Sequence, residues 1–211
     1  MSMFKLFQSH FSKDHSIKKS LKKVKHAQYS DLNELFELFN GESFDNGIYR
    51  IINFEETDTW SKRIYSVFPS FAGRIIPFGY DWLGRFFCLD LQRLQHSKPL
   101  ILLFSHFTNV VLEIPEDLLG FHNSILVNQQ DEALEAKMFQ QFLICSDLPS
   151  IETTQCAELV LPLYLGGIYN IENMKIFDVA ASWDICAQLL SQVNSVEEGT
   201  NVNKISISYE H

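Results

Sequence analysis

Cysteine is scarce in this sequence, and its few cysteines are scattered rather than paired. No C-x-x-C pair is present, whereas structural zinc sites usually draw their ligands from short, clustered spacings. We therefore expect no zinc site and no other cofactor. Isolated cysteines in apolar surroundings are typical of buried thiols in a reducing compartment. The cysteines are Cys88, Cys145, Cys156 and Cys186.

Long apolar runs are also missing, and with them the usual signature of a membrane span. The opening residues, MSMFKLFQSHFSK, lack the uninterrupted apolar stretch of a secretory signal. No N-x-S/T acceptor for glycosylation occurs either. Together with the cysteine pattern, these absences predict a cytoplasmic protein without integral membrane association.

The recurring catalytic motifs are absent as well. The sequence contains neither G-x-G-x-x-G nor a phosphate-binding P-loop, and neither H-E-x-x-H nor G-x-S-x-G. We therefore expect that the protein is not an enzyme. One alternative stays open, a hydrolase in which His122 acts as general base with Asp81 or Asp90. We expect His96, in a turn, and His106, at a strand end, to be structural or exposed.

Positive charge is concentrated at the start of the chain. Residues 1–25 hold seven lysines and one acid, whereas residues 26–211 hold 10 basic and 25 acidic side chains, a net charge of −15. An acidic surface repels nucleic acid and anionic membranes and attracts cationic partners. We therefore predict a basic protein partner, such as a nuclease toxin, and no nucleic-acid partner. The alternative is that the charge only keeps the protein in solution.

Phenylalanine is abundant, with eighteen residues in a chain of 211. Each buried Phe contributes a large apolar area and has no polar atom to satisfy. The surplus therefore favours a well-filled core, and an exposed aromatic patch for binding is the alternative.

Periodicity divides the chain into three parts. Residues 1–28 form a basic amphipathic segment in which Phe4, Phe7 and Phe11 recur at helical spacing. We predict a helical arm packed on the body or on a partner; a frayed basic tail and a membrane-surface helix are the alternatives. Residues 29–193 predict one domain. Residues 194–211 predict a polar linker with an edge strand at Ile205–Tyr209.

The pattern of residues 29–193 predicts an α+β fold in which helices wrap an antiparallel sheet. The connections between the predicted strands are too short for parallel crossovers, which need a dozen or more residues. A first helix is expected from Ser30, a good cap residue, to the stop signal Asn40-Gly41. Further predicted helices are Thr59–Val67, Glu116–Asn123, Gln130–Cys145 and Phe177–Val193. The predicted strands are Ile48–Phe54, Arg74–Phe78, Arg85–Leu91, Leu100–His106 and Val110–Ile114.

Candidate partner-binding residues follow from loop placement, because loops carry much of protein recognition. Trp82 lies at a hairpin tip, where its ring either folds back over the core or stays exposed for contact. Asp81 precedes Arg85 by four residues and is expected to accept backbone N–H groups and to pair with it. The predicted contact residues are Trp60, Tyr80, Trp82, Glu55, Glu56, Asp58, Glu116 and Asp117. Six glycines are assigned structural roles at turns: Gly41, Gly47, Gly79, Gly84, Gly166 and Gly167.

Three segments carry a resemblance to a known group of proteins. Leu32–Ile52, LNELFELFNGESFDNGIYRII, resembles the entry of SUKH-like and GAD-related bacterial immunity proteins, where a helix ends in a Gly-containing turn before a strand. Pro77–Asp90, PFGYDWLGRFFCLD, resembles the hairpin of the same group. Leu161–Leu190, LPLYLGGIYNIENMKIFDVAASWDICAQLL, resembles the C-terminal region of type VI secretion immunity proteins. The basic arm and the acidic loop Glu55–Asp58 have no counterpart in the group.

The resemblance implies a compact SUKH-like domain that neutralises a co-produced bacterial toxin by binding and occluding it non-covalently. The matched positions are glycines, aromatic residues and apolar residues that hold a scaffold, so no catalytic residue is implied. A regulatory or scaffolding module of SUKH type, without a toxin partner, is the alternative function.

Overall fold

The structure is a computed structural model that describes residues 2–14 and 29–193. The predicted edge strand Ile205–Tyr209 and residues 15–28 of the predicted arm lie outside the described residues.

A six-stranded antiparallel sheet forms the centre of the described part, with its strands in the order of the sequence. Each strand therefore pairs with its neighbour along the chain, as the short connections predicted. The sheet and its surrounding helices confirm the predicted α+β fold class. The strands are β1 (Ser43–Phe44), β2 (Tyr49–Ile51), β3 (Ile75–Asp81), β4 (Phe86–Gln95), β5 (Lys98–Ser105) and β6 (Val110–Asp117).

A second, two-stranded antiparallel sheet packs against the first. It consists of β7 (Gln155–Leu159) and β8 (Met174–Asp178). The backbone N–H of Ala157 donates to the carbonyl of Trp82, which ties β7 to the hairpin between β3 and β4. Pro162 follows β7 and lies outside both strands, as expected for a residue that cannot donate to a sheet.

The helices lie before, between and after these strands. Helix α2 (Ser30–Phe39) has a buried apolar stripe, and its C-cap residue is Asn40; the next residue, Gly41, takes the left-handed conformation, φ +71°. The helices are α1 (Lys5–His10), α2 (Ser30–Phe39), α3 (Thr57–Val67), α4 (Leu118–Gly120), α5 (Leu126–Asn128), α6 (Gln130–Leu134), α7 (Ala136–Ser146) and α8 (Val179–Val193).

The predicted start of a helix at Glu116 is wrong. Strand β6 continues through Asp117, which is paired with Leu100 of β5. The Asp117 carboxylate then accepts the N–H of Gly120 at 2.8 Å and caps α4. A π-helical turn at Phe121–Ile125 joins α4 to α5, so the helical segment extends past the predicted end at Asn123.

The helix predicted over Gln130–Cys145 is two helices. Glu135 adopts the left-handed conformation (φ 54°, ψ 46°) between α6 and α7. The Asp131 carboxylate accepts the backbone N–H of Lys137 across this break, and the Glu135 carboxylate binds Arg85. Tertiary contacts therefore stabilise a break that helical periodicity does not reveal.

The last helix also differs from its prediction. It begins at Val179 rather than at Phe177, because residues 174–178 pair with β7 as strand β8. The side chain of Asp178 accepts the N–H of Ala181, so this residue ends the strand and caps the helix.

Phenylalanine fills the core, which confirms that interpretation of its abundance. Fifteen of the eighteen Phe side chains are buried, and Phe54, Phe71 and Phe177 are partly buried against the same cluster. Phe4 and Phe7, at the start of the chain, are fully buried against Phe39. Residues 2–14 of the predicted arm therefore pack on the body.

Among the described residues, none of the helices combines the length and the apolar character that a bilayer span requires.

Candidate functional site

A groove of about 530 Å³ lies between α3 and the start of α8. Strands β2 and β3 supply its floor, and the loop that precedes β7 closes one side. Its lining residues are Gly41, Ile51, Ile52, Asn53, Glu56, Thr59, Trp60, Arg63, Tyr80, Thr153, Thr154, Asp178, Val179 and Ala180. The groove thus combines apolar walls with a few polar and charged side chains, a composition common in binding sites.

Aromatic rings form the base of the groove. Trp60 and Tyr80 both pack on Phe86, with ring centroids 4.4 Å and 5.1 Å from it. The Tyr80 hydroxyl donates to the carbonyl of Thr153, which fixes the loop before β7. Burial raises the pKa of Tyr80 to about 12, so the phenol stays protonated at neutral pH and keeps this hydrogen bond.

Buried Arg50 holds the same loop from beneath. Its guanidinium donates to the carbonyl of Ile151 at 2.8 Å and to that of Gln155 at 3.1 Å, and it lies over the Tyr80 ring. The side of the groove formed by this loop is therefore fixed by hydrogen bonds within the chain. A surface that is already ordered would bind a ligand at a lower entropic cost than a mobile one.

Charge at the groove is mainly negative. Arg63 lies 5.2 Å from the centroid of the Trp60 ring, and its Nε is 3.1 Å from a carboxylate oxygen of Asp184. That ion pair balances the basic residue of the lining. Glu56 and Asp178 also line the groove, and neither forms an ion pair with another described residue. The opening therefore carries net negative charge.

The predicted contact residues of this region come together, but their roles differ. Glu55, Glu56 and Asp58 are exposed beside the groove, in the turn that leads into α3 and at its start. Trp60 and Tyr80 are only 7% and 6% exposed. They form a floor that can receive a side chain, rather than anchors that project into a partner.

The prediction that Trp82 is a contact residue is wrong in this fold. Its ring is fully buried against Phe139 and Phe142, and its indole N–H donates to the carbonyl of Leu134 at 2.7 Å. Folding back over the core satisfies both the apolar ring and its polar atom.

Glu116 and Asp117 lie apart from the groove. They end β6, the strand at the far edge of the sheet, four strand spacings or roughly 19 Å from β2. Asp117 also pairs with Lys98 at 2.9 Å in addition to capping α4. Glu116 and Asp117 are therefore too far from Glu56 to belong to the same contact surface.

The alternative catalytic pairing is not formed. Both ring nitrogens of His122 have other partners, the Tyr49 hydroxyl at 3.0 Å and the Leu118 carbonyl at 2.8 Å. Asp81 accepts from the side chain of Arg85, as predicted, and Asp90 from that of Arg74. All three candidate residues are fully buried.

A second cluster of polar side chains is buried between the two sheets and α8. His106 Nε2 is 2.7 Å from the Ser182 hydroxyl, which donates to Oε2 of Glu158. Glu158 Oε1 lies 3.3 Å from His106 Nε2 and 3.6 Å from the thiol sulfur of Cys186. Burial raises the pKa of Glu158, but the imidazole of His106 and the hydrogen bonds to the carboxylate outweigh it and lower the pKa.

This cluster is not a hydrolytic triad. In such triads the carboxylate holds the nitrogen of the histidine that faces away from the nucleophile. Here Glu158 and Ser182 share Nε2 of His106, while Nδ1 has no hydrogen-bond partner among the described residues. No carboxylate therefore orients His106 through Nδ1, as would be needed for His106 to activate Ser182 as a nucleophile.

Several residues of the groove and of the buried cluster around His106 were not predicted from the sequence. Arg63, Asp178 and the loop residue Thr153 line the groove, and Glu158 and Ser182 meet His106, although these residues are far apart in the sequence. The helix-cap role of Asp178 could have been predicted from the sequence, because an acidic residue just before an apolar helical run is a typical cap.

No protein-family model matches the chain, and no curated protein matches it. Among solved structures, the fold is similar to the crystal structure of Atu4351 from Agrobacterium tumefaciens. The two chains share 14% sequence identity, the match covers 88% of each, and the TM-score is 0.61. At that identity the similarity concerns the fold alone.

Proposed function

We propose that this chain is an immunity protein that binds a cationic bacterial toxin and neutralises it by non-covalent occlusion. The observation that carries the proposal is the groove between α3 and α8, which has an aromatic floor and is lined by the carboxylates of Glu56 and Asp178, neither of which forms an ion pair with another described residue. The net charge of −15 on residues 26–211 and the resemblance of three segments to bacterial immunity proteins support it.

The chemistry of the groove specifies what it receives. A lysine or arginine side chain of the toxin would enter between Glu56 and Asp178 and lie over the aromatic floor, where charge pairing and cation–π attraction act together. Arg63, already stacked on Trp60, is an example of a guanidinium at this place. Acidic residues outside the groove, such as Glu55 and Asp58, would speed the encounter.

The first test is protection. The chain is co-expressed in a sensitive strain with each toxin encoded beside its gene, and an inactivated form of the same toxin is tested for co-purification. Survival together with a stable complex is the expected result. If no neighbouring toxin is neutralised or bound, the proposed function is wrong.

The second test asks whether the groove is the surface that binds the toxin. Ala180 lines the groove, and Ala181, the next residue of α8, is exposed outside it, so Ala180→Trp and Ala181→Trp form a matched pair. We expect Ala180→Trp to abolish protection and Ala181→Trp to retain it, with circular dichroism showing both folded. Equal protection by the two variants would exclude the groove as the binding surface.

The third test concerns charge. Glu56→Gln with Asp178→Asn removes two charges, while asparagine still caps α8. We expect association with the toxin to be roughly tenfold slower at low salt and the difference to shrink as salt screens the charges. Glu116→Gln, at the far edge of the sheet, is the control and should leave the association rate unchanged.

A further inference from the structure

The buried cluster contains three kinds of side chain that bind first-row metals. His106 offers an imidazole nitrogen, Glu158 a carboxylate oxygen and Cys186 a thiol, and the three ligand atoms lie within 4.8 Å of one another. The three residues are 0%, 6% and 1% exposed, in that order, so solvent water has little access to the cluster. Nitrogen, oxygen and sulfur together are a ligand set suited to zinc.

The two distances from Glu158 Oε1 agree with a tetrahedral ion. With zinc bonds of about 2.0 Å to nitrogen, 2.0–2.2 Å to oxygen and 2.3 Å to sulfur, neighbouring ligand atoms lie about 3.3–3.6 Å apart. The separations from Glu158 Oε1 are 3.3 Å to His106 Nε2 and 3.6 Å to Cys186 Sγ. One carboxylate oxygen is thus at coordination spacing from both other ligands.

The carboxylate of Glu158 is the buried group that an ion would compensate, because buried charges in proteins are paired or coordinate metals. The Ser182 hydroxyl donates to Oε2 of this carboxylate, whereas Oε1 faces Nε2 of His106 and the thiol of Cys186. Nδ1 of His106, which has no hydrogen-bond partner among the described residues, would stay outside the coordination shell.

We propose that His106, Glu158 and Cys186 form a zinc site that joins the end of β5 to β7 and α8. The three residues lie just after β5, within β7 and within α8, so one ion would link both sheets and the last helix. Binding replaces the thiol proton of Cys186 by the ion, and that proton passes to the solvent. Ser182 keeps its hydrogen bond to Oε2 of Glu158, which orients the carboxylate from outside the coordination shell.

The fourth ligand position would be filled by a water molecule. Because the ligands are buried and come from three separate elements, the ion would act mainly on stability. The wide sequence separation of the three residues also explains why cysteine spacing predicts no zinc site.

The test uses the full chain and zinc itself. Metal content is measured after purification and after incubation with one equivalent of Zn²⁺ followed by desalting. We expect one zinc per chain in the wild type and at least a roughly tenfold loss in His106→Gln and Cys186→Ser. Cys88→Ser, which changes a buried thiol outside the cluster, and Cys145→Ser, which changes an exposed one, should keep the full content.

A measurement on the unmodified chain keeps the test decisive if a cluster variant does not fold. Co²⁺ replaces zinc and gives an intense thiolate-to-metal absorption band when a cysteine binds it. We expect this band with Co²⁺, its loss on addition of Zn²⁺, and a higher unfolding temperature with Zn²⁺ than with a chelator. Absence of the band, or equal zinc content in the wild type and His106→Gln, would overturn the proposal.

Discussion

Tyr49 donates its hydroxyl hydrogen to Nε2 of His122 over 3.0 Å, and the two rings pack against each other in the core. The other ring nitrogen, Nδ1, faces the carbonyl of Leu118 at 2.8 Å and must therefore carry the proton. The imidazole is held as one neutral tautomer, with a defined partner for each nitrogen. Phe4 and Phe7 of the N-terminal segment pack edge-on against it.

This arrangement predicts that acid destabilises the fold through His122. Burial lowers the pKa of His122 to about 4, from 6.5 in the unfolded chain, so the unfolded chain binds the proton more strongly. The stabilisation is complete above pH 6.5 and is lost as the pH falls from 6.5 to 4, by about 3 kcal/mol in total. Urea unfolding at pH 7 and pH 4.5 measures it.

His122→Gln separates this effect from that of other titrating groups. Glutamine can still donate and accept hydrogen bonds but does not titrate, so the variant should lose less stability between pH 7 and pH 4.5 than the wild type. His96→Gln, at an exposed turn, should retain the pH dependence of the wild type. An unchanged slope in His122→Gln would contradict the assignment.

Gly47 and Gly166 give a test of close packing at nearly equal φ angles. Their φ angles are +91° and +89°, but a Cβ on Gly47 would overlap the carbonyl oxygen of Ile151, whereas one on Gly166 meets nothing within 4 Å. Gly166→Ala should cost about 1–2 kcal/mol, the strain of a left-handed residue. Gly47→Ala should cost at least about 1 kcal/mol more, measured by urea unfolding.

The buried position of Trp82 predicts a structural role without a binding role. Trp82→Phe keeps an aromatic ring but leaves the carbonyl of Leu134 without its donor, so unfolding should become easier by about 1–3 kcal/mol. If the proposed function holds, the affinity of the folded variant for the proposed toxin, measured by titration calorimetry, should equal that of the wild type. A large loss of affinity in a well-folded variant would contradict this assignment and indicate that Trp82 contributes to binding.

Asp117 is predicted to act through its helix cap. Asp117→Ala removes the acceptor for the Gly120 N–H and should lower stability by about 1 kcal/mol, while Asp117→Asn keeps the acceptor and should remain close to the wild type. Neither change should alter binding of the proposed toxin, because β6 is an edge strand and lies four and three strand positions from β2 and β3, which form the floor of the groove. Thermal unfolding and the protection assay measure the two effects.

Local sequence determined much of the architecture. The stop signal after α2, the short connections between strands and the abundance of Phe predicted the end of that helix, the antiparallel sheet and the filled core. Each is governed by residues close in sequence or by overall composition, such as Gly41 with its positive φ. The prediction that Ser30 caps α2 is wrong, because Ser30 is the first residue of the helix and the cap residue is Tyr29, which makes no side-chain cap hydrogen bond.

Tertiary structure alone decided the rest. The break at Glu135 depends on Arg85, fifty residues away, and the conversion of residues 174–178 to a strand depends on β7. The groove and the His106–Glu158–Cys186 cluster likewise join side chains from distant elements. Periodicity and spacing carry information about one segment of the chain at a time. The burial of Trp82 and the contacts within the groove and the cluster depend instead on how distant segments pack together.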